Sequence, residues 1–242
     1  MLSLSGVTKQ IGGLTAVNRV DLEIDRDEIV GLVGPNGAGK TTLLNIISGI
    51  LPPTSGTVRF FGEDITGMKA DKICHKGIAK TFQIAESFPD LNAQQCVMIG
   101  ILFGNSAAPG MKEAEEQALE ILSSVNFPQE KTGTLTRNLT VVELKRLQLA
   151  RALATRPRLL LLDELTTGLN PRESNEAVGL IKKIRDQGTS ILIIEHVMSV
   201  IRGVSDRIVV LDHGEKIADG RPYEIANNQR VIDTYLGDLE AF

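Results

Sequence analysis

The sequence lacks the features that mark secreted and membrane-spanning chains. Its 242 residues include only two cysteines, Cys74 and Cys96. These have no metal-site or disulfide spacing, so we expect two reduced thiols, typical of a cytosolic protein. The first residues have neither the basic region nor the long apolar region of a signal peptide. The longest apolar runs, residues 159–162 and 191–194, fall far short of the ~20 residues that a membrane helix needs, so we predict no membrane span.

Basic residues are also not in excess over acidic ones. The formal net charge is -4 and the isoelectric point is about 5.5, which argues against a nucleic-acid partner because phosphate binding over a wide surface needs basic residues. No internal repeat or low-complexity segment is present. What remains is an ordinary globular composition, with 42% hydrophobic and 23% charged residues, enough for one large α/β domain or two small ones.

Short apolar segments alternate with helical patterns along much of the chain. Apolar and charged residues alternate at 20–25, and 57–61 is similar, which predicts antiparallel strands. Buried strands are predicted at 28–33, 159–162 and 191–194 because these short runs are almost entirely apolar. Further along, the sequence predicts a helix over 172–187, a hairpin over 207–218 and short helices over 222–236. Such alternation predicts a mostly parallel sheet flanked by helices, with an antiparallel β subdomain near the start.

The middle of the chain is different, because its apolar residues recur at helical spacing. Helices are predicted at about 111–125 and 142–155, and strand signals are few. We therefore predict an α-helical insert at about residues 84–155. The whole chain, 1–242, is then a single domain whose core combines about 1–83 with 156–242.

One glycine-rich loop carries the strongest chemical signal. It fits the pattern G-x-x-x-x-G-K-[ST] and lies between a predicted strand and a predicted helix, a context that disfavours a chance glycine-rich turn. Such a loop directs backbone N–H groups at phosphates, its lysine reaches the β- and γ-phosphates, and its hydroxyl residue binds Mg²⁺. The sequence therefore predicts a nucleotide site in an NTPase core, formed by Gly34, Pro35, Asn36, Gly37, Ala38, Gly39, Lys40 and Thr41.

Two buried strands end in polar residues that suit this site. Asp163 and Glu164 follow one strand and His196 follows the other. Because parallel strands deliver their carboxyl ends to the ligand crevice, we expect Asp163 to hold Mg²⁺ and Glu164 to polarise the attacking water. A lone histidine is more often structural than catalytic, so His196 is weaker by itself. His75 and His213 are predicted to be surface or turn residues.

In this order the motifs resemble those of the nucleotide-binding subunits of ABC transporters, over essentially the whole chain. Within that superfamily the chain is most similar to the ATPases of branched-chain amino-acid importers, at residues 12–17, 34–42, 80–83, 168–171 and 231–237. The resemblance implies that Gln83 links Mg²⁺ and water to the helical insert and the permease, that Glu164 is the general base, and that His196 contacts the γ-phosphate. It also implies further nucleotide contacts at Ile11, Val17 and Thr42.

The same resemblance implies partners and a location. Two such subunits, identical or different, would enclose two ATP molecules with Mg²⁺ and drive transmembrane permease subunits. The chain would then lie on the cytoplasmic side of the membrane, with an extracytoplasmic substrate-binding protein as an indirect partner. The transported molecule is not encoded in these motifs, so urea, amides and other amino acids remain alternatives to branched-chain amino acids.

The sequence departs from the superfamily pattern in three segments. The signature segment, which serves the other subunit's ATP, has valine at both of its glycine positions and comprises Leu139, Thr140, Val141, Val142 and Glu143. β-Branched residues disfavour positive φ and obstruct close approach to phosphate. Either Thr140 and helix N-terminal amides still serve, or the two ATP sites are unequal. Ile11 replaces an aromatic residue that stacks on adenine, which leaves GTP open beside ATP. Asn170 replaces an aspartate and is predicted to cap a helix with Pro171 and Glu173.

Two other classes of protein share the phosphate-binding loop. Soluble ABC ATPases of translation or repair usually carry two cassettes or long insertions, for which this chain has no room. A small-molecule kinase would need an acceptor site and lid arginines, and it would not explain His196 after the second strand. We therefore expect the ATPase subunit of an importer.

Overall fold

The computed structural model describes residues 1–81, 88–104 and 109–237. Within these ranges the strands are β1 (Leu2–Ile11), β2 (Leu14–Ile24), β3 (Ile29–Val33), β4 (Ser55–Phe60), β5 (Glu63–Asp64), β6 (Ile78–Lys80), β7 (Leu159–Asp163), β8 (Ser190–Ile194), β9 (Arg207–Asp212) and β10 (Glu215–Gly220). The helices are α1 (Lys40–Ile47), α2 (Ala70–His75), α3 (Ala93–Phe103), α4 (Met111–Ser124), α5 (Val141–Ala154), α6 (Pro171–Asp186), α7 (Met198–Val204), α8 (Pro222–Ala226) and α9 (Gln229–Gly237). No helix of the described ranges is both long enough and apolar enough to span a membrane.

The strands form two sheets. The first is antiparallel, in the order β2-β1-β4-β5, and the second has the order β10-β9-β3-β8-β7-β6. In the second sheet every pairing is parallel except that of β9 with β10. The predicted fold class, a mostly parallel sheet flanked by helices with an antiparallel subdomain and a helical insert, is confirmed.

The main sheet separates two hydrophobic cores. Successive side chains of a strand point to opposite faces, so Leu160 and Leu162 of β7 join the core shared with the helical insert. Leu159 and Leu161 join the core shared with α1 and the antiparallel sheet. Every residue of β3, β7 and β8 is buried, which is why these strands are almost entirely apolar rather than alternating.

The register of these strands brings their carboxyl ends to one edge. Ile194 pairs with Leu32 on one side and with Asp163 on the other. The chain segments that follow β3, β7 and β8 therefore emerge side by side, as expected for the ligand crevice of a parallel sheet.

The helical insert is built from α3, α4 and α5, which pack against one another. Two of these helices begin with a reciprocal cap, in which the side chain of Asn92 or Thr140 and that of the third helical residue satisfy each other's backbone N–H. Cys96 of α3 is buried and Cys74 is half-buried, and both are free thiols as the cysteine count predicts.

Candidate nucleotide-binding site

The loop from Gly34 to Gly39 connects β3 to α1 and has a backbone that only glycine fits at its two ends. Gly39 has φ 97°, and a Cβ on it would lie 2.3 Å from the carbonyl oxygen of Ala16. A Cβ on Gly34 would lie 2.1 Å from the carbonyl oxygen of Leu211. Since these contacts are with backbone, they cannot be relieved by a rotamer change, and the loop is held as a narrow cradle.

Lys40 begins α1 and turns back over this cradle. Its Nζ donates hydrogen bonds to the carbonyl oxygens of Gly34, at 2.6 Å, and Pro35, at 2.8 Å. Burial lowers the pKa of Lys40, while the nearby Glu164 and Asp163 oppose that shift. The ammonium group is therefore held beside the mouth of the loop, where phosphate oxygens would replace the two carbonyl groups as its partners.

Asp163 ends β7 and is almost completely buried. Its Oδ2 lies 3.6 Å from Nζ of Lys80, whose side chain is also buried, and Lys80 Nζ donates to Asn45 Oδ1 at 2.5 Å. Among the described residues Asp163 Oδ1 has no hydrogen-bond partner. Burial raises the pKa of Asp163, and the charge of Lys80 opposes this. A buried carboxylate oxygen with spare acceptor capacity fits a Mg²⁺ ligand, directly or through water.

Glu164 lies directly after β7 in a left-handed conformation, with φ 53°. Its N–H donates to the carbonyl oxygen of Ile194 at 3.0 Å. Its Oε1 lies 2.8 Å from Nε2 of His196, the second residue after β8. An ionised carboxylate only accepts, so in this pair Nε2 carries the proton. The two strand ends thus place a carboxylate and an imidazole in direct contact.

Lys40, Glu164 and His196 share one open cleft of about 560 Å³, whose lining does not include Asp163. It is lined by Ile11, Leu14, Thr15, Ala16, Asn36, Gly37, Ala38, Gly39, Lys40, Thr41, Thr42, Glu164, His196 and His213. The predicted loop residues from Asn36 onward, the carboxylate of Glu164 and the imidazole of His196 therefore come together, and Ile11 lines the same cleft. Gln83 lies outside the described residues, so its predicted role stays a prediction.

Four residues of the cleft, Leu14, Thr15, Ala16 and His213, were not among the predicted site residues. One predicted nucleotide contact, Val17, does not line the cleft, and its role stays a prediction. Leu14 is 70% exposed beside Ile11, and His213 lies in the β9–β10 turn and also lines the cleft. Val17, in contrast, is fully buried in the core on the antiparallel-sheet side. Register shifts of β1 against β2 flank its partner Lys9, and such bulges change the face to which a side chain points.

The signature segment differs from expectation in its backbone. Thr140 caps α5, and Val141 and Val142 are the first helical residues, so neither valine has positive φ. The predicted conformational conflict is therefore absent, although the bulk of Val141, 57% exposed, remains. The role of this segment toward a nucleotide stays a prediction.

Glu143 closes this cap from within and is buried. Its Oε2 accepts from the N–H of Thr140 at 2.8 Å and its Oε1 accepts from Lys131 Nζ at 2.6 Å. Burial alone would raise the pKa of Glu143, but the bonds from Lys131 and Thr140 outweigh it and the pKa lies below its usual value. This carboxylate therefore shapes the segment from inside and is not presented to solvent.

The predicted cap at Asn170 is confirmed. Asn170 and Glu173 satisfy each other's backbone N–H at 2.9 Å, and Pro171 is the first residue of α6. The turn before it begins at Thr166, whose N–H donates to Oε1 of Glu195 at 2.6 Å. Glu195 is a buried carboxylate, next to His196 in the chain, that the sequence motifs did not single out. Nothing in its local sequence distinguishes it from a solvated strand end.

Two family models match the chain. The first, described as "ABC transporter", matches residues 17–167. The second, described as "Branched-chain amino acid ATP-binding cassette transporter", matches residues 215–241.

Among curated proteins, the chain is similar to the high-affinity branched-chain amino acid transport ATP-binding protein BraF of Pseudomonas aeruginosa. They are 38% identical over 98% of each chain. It is 37% identical, over 98% of each chain, to the corresponding protein LivG of Escherichia coli.

Among solved structures, two ATP-binding cassettes have the same fold. The cassette MJ1267 of an ABC transporter has a TM-score of 0.89 and 26% identity, over 97% of this chain and 98% of that one. A dimeric post-hydrolysis state of the cassette MJ0796, bound to ADP and phosphate, has a TM-score of 0.85 and 28% identity, over 92% and 99%.

Proposed function

Because this chain belongs to the ATP-binding proteins of ABC transporters, we propose that it hydrolyses ATP to power a transmembrane importer of branched-chain amino acids. The observation that carries the hydrolytic part is the 2.8 Å contact between Glu164 and His196 in the same cleft as the phosphate-binding loop. The relatives BraF and LivG, which are named for branched-chain amino-acid transport, support the substrate class.

The loop supplies phosphate binding in this mechanism. Backbone N–H groups of the Gly34–Gly39 cradle and the start of α1 receive the phosphates, and Lys40 exchanges its bonds to the carbonyl oxygens of Gly34 and Pro35 for bonds to phosphate oxygens. Thr41 and Asp163, with Gln83, would hold Mg²⁺, which neutralises charge that develops on the phosphates. Ile11 and the neighbouring Leu14 offer an aliphatic surface to the base.

The carboxylate and the imidazole then divide the catalytic work. Glu164 accepts a proton from the attacking water, which requires its carboxylate to face the γ-phosphate at hydrogen-bond distance from that water. Before the nucleotide binds, Glu164 holds the imidazole of His196. Once the nucleotide is bound, the Nε2–H group of His196 can donate its hydrogen bond to a γ-phosphate oxygen rather than to Glu164. The pair thus holds both groups at the mouth of the loop before catalysis.

A second surface supports contact with permease subunits. Between the main sheet and the helical insert lies a groove of about 250 Å³, with Ile50, Ile78 and Ile99 among its lining residues. Ile50 is 42% exposed, and Thr81, two residues before Gln83 in the sequence, also lines the groove. We infer that a permease element inserts here, on the cytoplasmic side of the membrane. A second ATP-binding subunit, like or unlike this one, completes the ATP sites, and an extracytoplasmic protein delivers the amino acid.

Hydrolysis is tested with Glu164→Gln, which keeps the shape of the side chain and removes the base. We expect kcat to fall by about 100-fold or more while ATP affinity changes little, the usual loss for a general base. Glu116→Gln, the same substitution at an exposed residue of α4 outside the cleft, is the matched control and should hydrolyse ATP like the wild type. Undiminished hydrolysis in Glu164→Gln would contradict the assignment of the base.

Transport is tested in proteoliposomes that contain the chain with its cognate permease subunits, ATP inside and the binding protein outside. We expect ATP-dependent uptake of labelled leucine and no uptake of labelled urea. Uptake of urea without leucine would overturn the substrate class and leave the ATPase intact. ATP hydrolysis that never depends on the permease would overturn the importer function.

A further inference from the structure

The signature helix α5 is tied to the catalytic turn by one lysine. Lys145, in the second turn of α5, donates from Nζ to the carbonyl oxygen of Glu164 at 2.7 Å. Burial lowers the pKa of Lys145, against the opposing charges of Glu195 and Glu164. A partly desolvated ammonium group costs free energy unless it is well bonded. The hydrogen bond to Glu164 therefore matters more to Lys145 than such a bond matters to a fully solvated surface lysine.

The carbonyl group that Lys145 binds belongs to a residue with unusual backbone geometry. Glu164 has positive φ, a conformation that a residue other than glycine keeps only when its surroundings impose it. Its N–H is held by Ile194 of β8 and its carbonyl oxygen by Lys145. The two bonds fix the peptide groups on both sides of the Glu164 Cα, and with them the direction of the side chain.

Lys145 also acts on the segment that follows. Glu195 holds the N–H of Thr166 through Oε1. Burial raises the pKa of Glu195, and the charge of Lys145 opposes this shift in part. The ammonium group of Lys145 thus bonds α5 to the turn after β7, and its charge also acts on Glu195 directly after β8.

The other end of the same rigid element is the signature segment. Val141 and Lys145 are four residues apart in α5 and so lie on one face of the helix. A Cβ on Gly168 would lie 4.0 Å from Cγ1 of Val141, which places the start of α5 against the turn after Glu164. One helical turn separates Val141 from Lys145, so a displacement of the helix start also moves the backbone that carries the Lys145 side chain.

We propose that Lys145 is a positioning residue that couples the signature end of α5 to Glu164 of the same chain. The inference rests on the proposed ATPase function. When the signature segment engages the other subunit's nucleotide, α5 carries Lys145 with it and sets the carbonyl group of Glu164. Lys145 does not touch ATP. It makes the alignment of the base in one ATP site depend on the occupancy of the other.

The first experiment measures ATP hydrolysis and ATP binding by the reconstituted complex with Lys145→Met, which keeps the unbranched chain and removes the donor. We expect kcat to fall about tenfold while KM and the Kd for ATP change less than about twofold, because the lost bond acts on the base rather than on nucleotide binding. Lys145→Arg retains a donor and is expected to recover most of kcat. Lys182→Met, an exposed lysine of α6, is the control and is expected to match the wild type.

A double-mutant cycle tests the coupling itself. Thr140→Ala weakens the signature end, and its effect on kcat should be smaller in the Lys145→Met background than alone, since contacting or coupled residues are non-additive. Thr140→Ala with Lys182→Met should be additive. Additivity of Thr140→Ala with Lys145→Met would overturn the proposal, as would an equal change of kcat and KM in Lys145→Met.

Two further results keep the test decisive. If Lys145→Met does not fold by circular dichroism, Lys145→Gln takes its place with the same expected split of kcat and KM. Glu164→Gln is measured in the same preparation. If Glu164→Gln loses hydrolysis while Lys145→Met hydrolyses ATP like the wild type, the coupling is overturned and the proposed ATPase function stands.

Discussion

Removing Lys80 is expected to destabilise the nucleotide-free protein strongly. Its side chain is 6% exposed and that of Asp163 is 2% exposed, with 3.6 Å between Nζ and Oδ2. Lys80→Met leaves an uncompensated buried carboxylate, and breaking a buried pair in this way costs about 3–5 kcal/mol of the free energy of unfolding. Since a domain typically has about 5–15 kcal/mol in total, the variant should still fold at 25 °C.

The assay is urea unfolding at pH 7 without nucleotide or divalent metal, for Lys80→Met, Asp163→Asn and the double variant. Because the double variant has neither charge, it should recover a large part of the stability lost in Lys80→Met, as buried pairs replaced together often do. The reasoning is refuted if Lys80→Met lies within about 0.5 kcal/mol of the wild type, the range of ordinary surface substitutions. It is also refuted if adding Asp163→Asn gives no recovery.

Two shorter predictions concern Glu195 and Gly39. Burial raises the folded-state pKa of Glu195 above its ordinary 4.5, so the folded state binds more protons than the unfolded state between these values. The stability that Glu195 contributes is therefore full below pH 4.5 and is lost as pH rises through the folded pKa. In thermal unfolding across pH 4 to 8, Glu195→Gln should lose less stability than the wild type. In Gly39→Ala the new Cβ would meet the Ala16 carbonyl oxygen at 2.3 Å, so ATP affinity in equilibrium binding should fall at least about tenfold, whereas Gly133→Ala, which has open space, should bind normally.

The parts of the site that the sequence predicted are those whose chemistry is local. The loop of Gly34–Thr41 is contiguous, and the apolar strands before it and before Asp163 are recognisable because both of their faces are buried. His196 needed the parallel arrangement of β7 and β8 as well, which the strand–helix alternation supplied.

The supporting contacts could not be predicted in this way. Lys80 and Asp163 are 83 residues apart in sequence, and Lys145 meets a backbone carbonyl group that has no residue-type signal. The burial of Val17 in the core likewise depends on the bulged pairing of β1 with β2, which the family resemblance does not specify. Such contacts depend on strand register and helix packing, which composition and periodicity leave open.

The altered signature segment is best understood through its helical backbone. Because Val141 and Val142 are the first helical residues, their N–H groups have no acceptor within α5 and carry the partial positive charge of the helix start. The segment can therefore still bind phosphate through these amides. The exposed side chain of Val141 instead limits how closely a phosphate can approach them. If access limits the rate, Val141→Gly should raise kcat of the reconstituted complex and Val142→Gly, half-buried in the described fold, should raise it less. An unchanged rate in both variants would refute unequal ATP sites that arise from valine bulk.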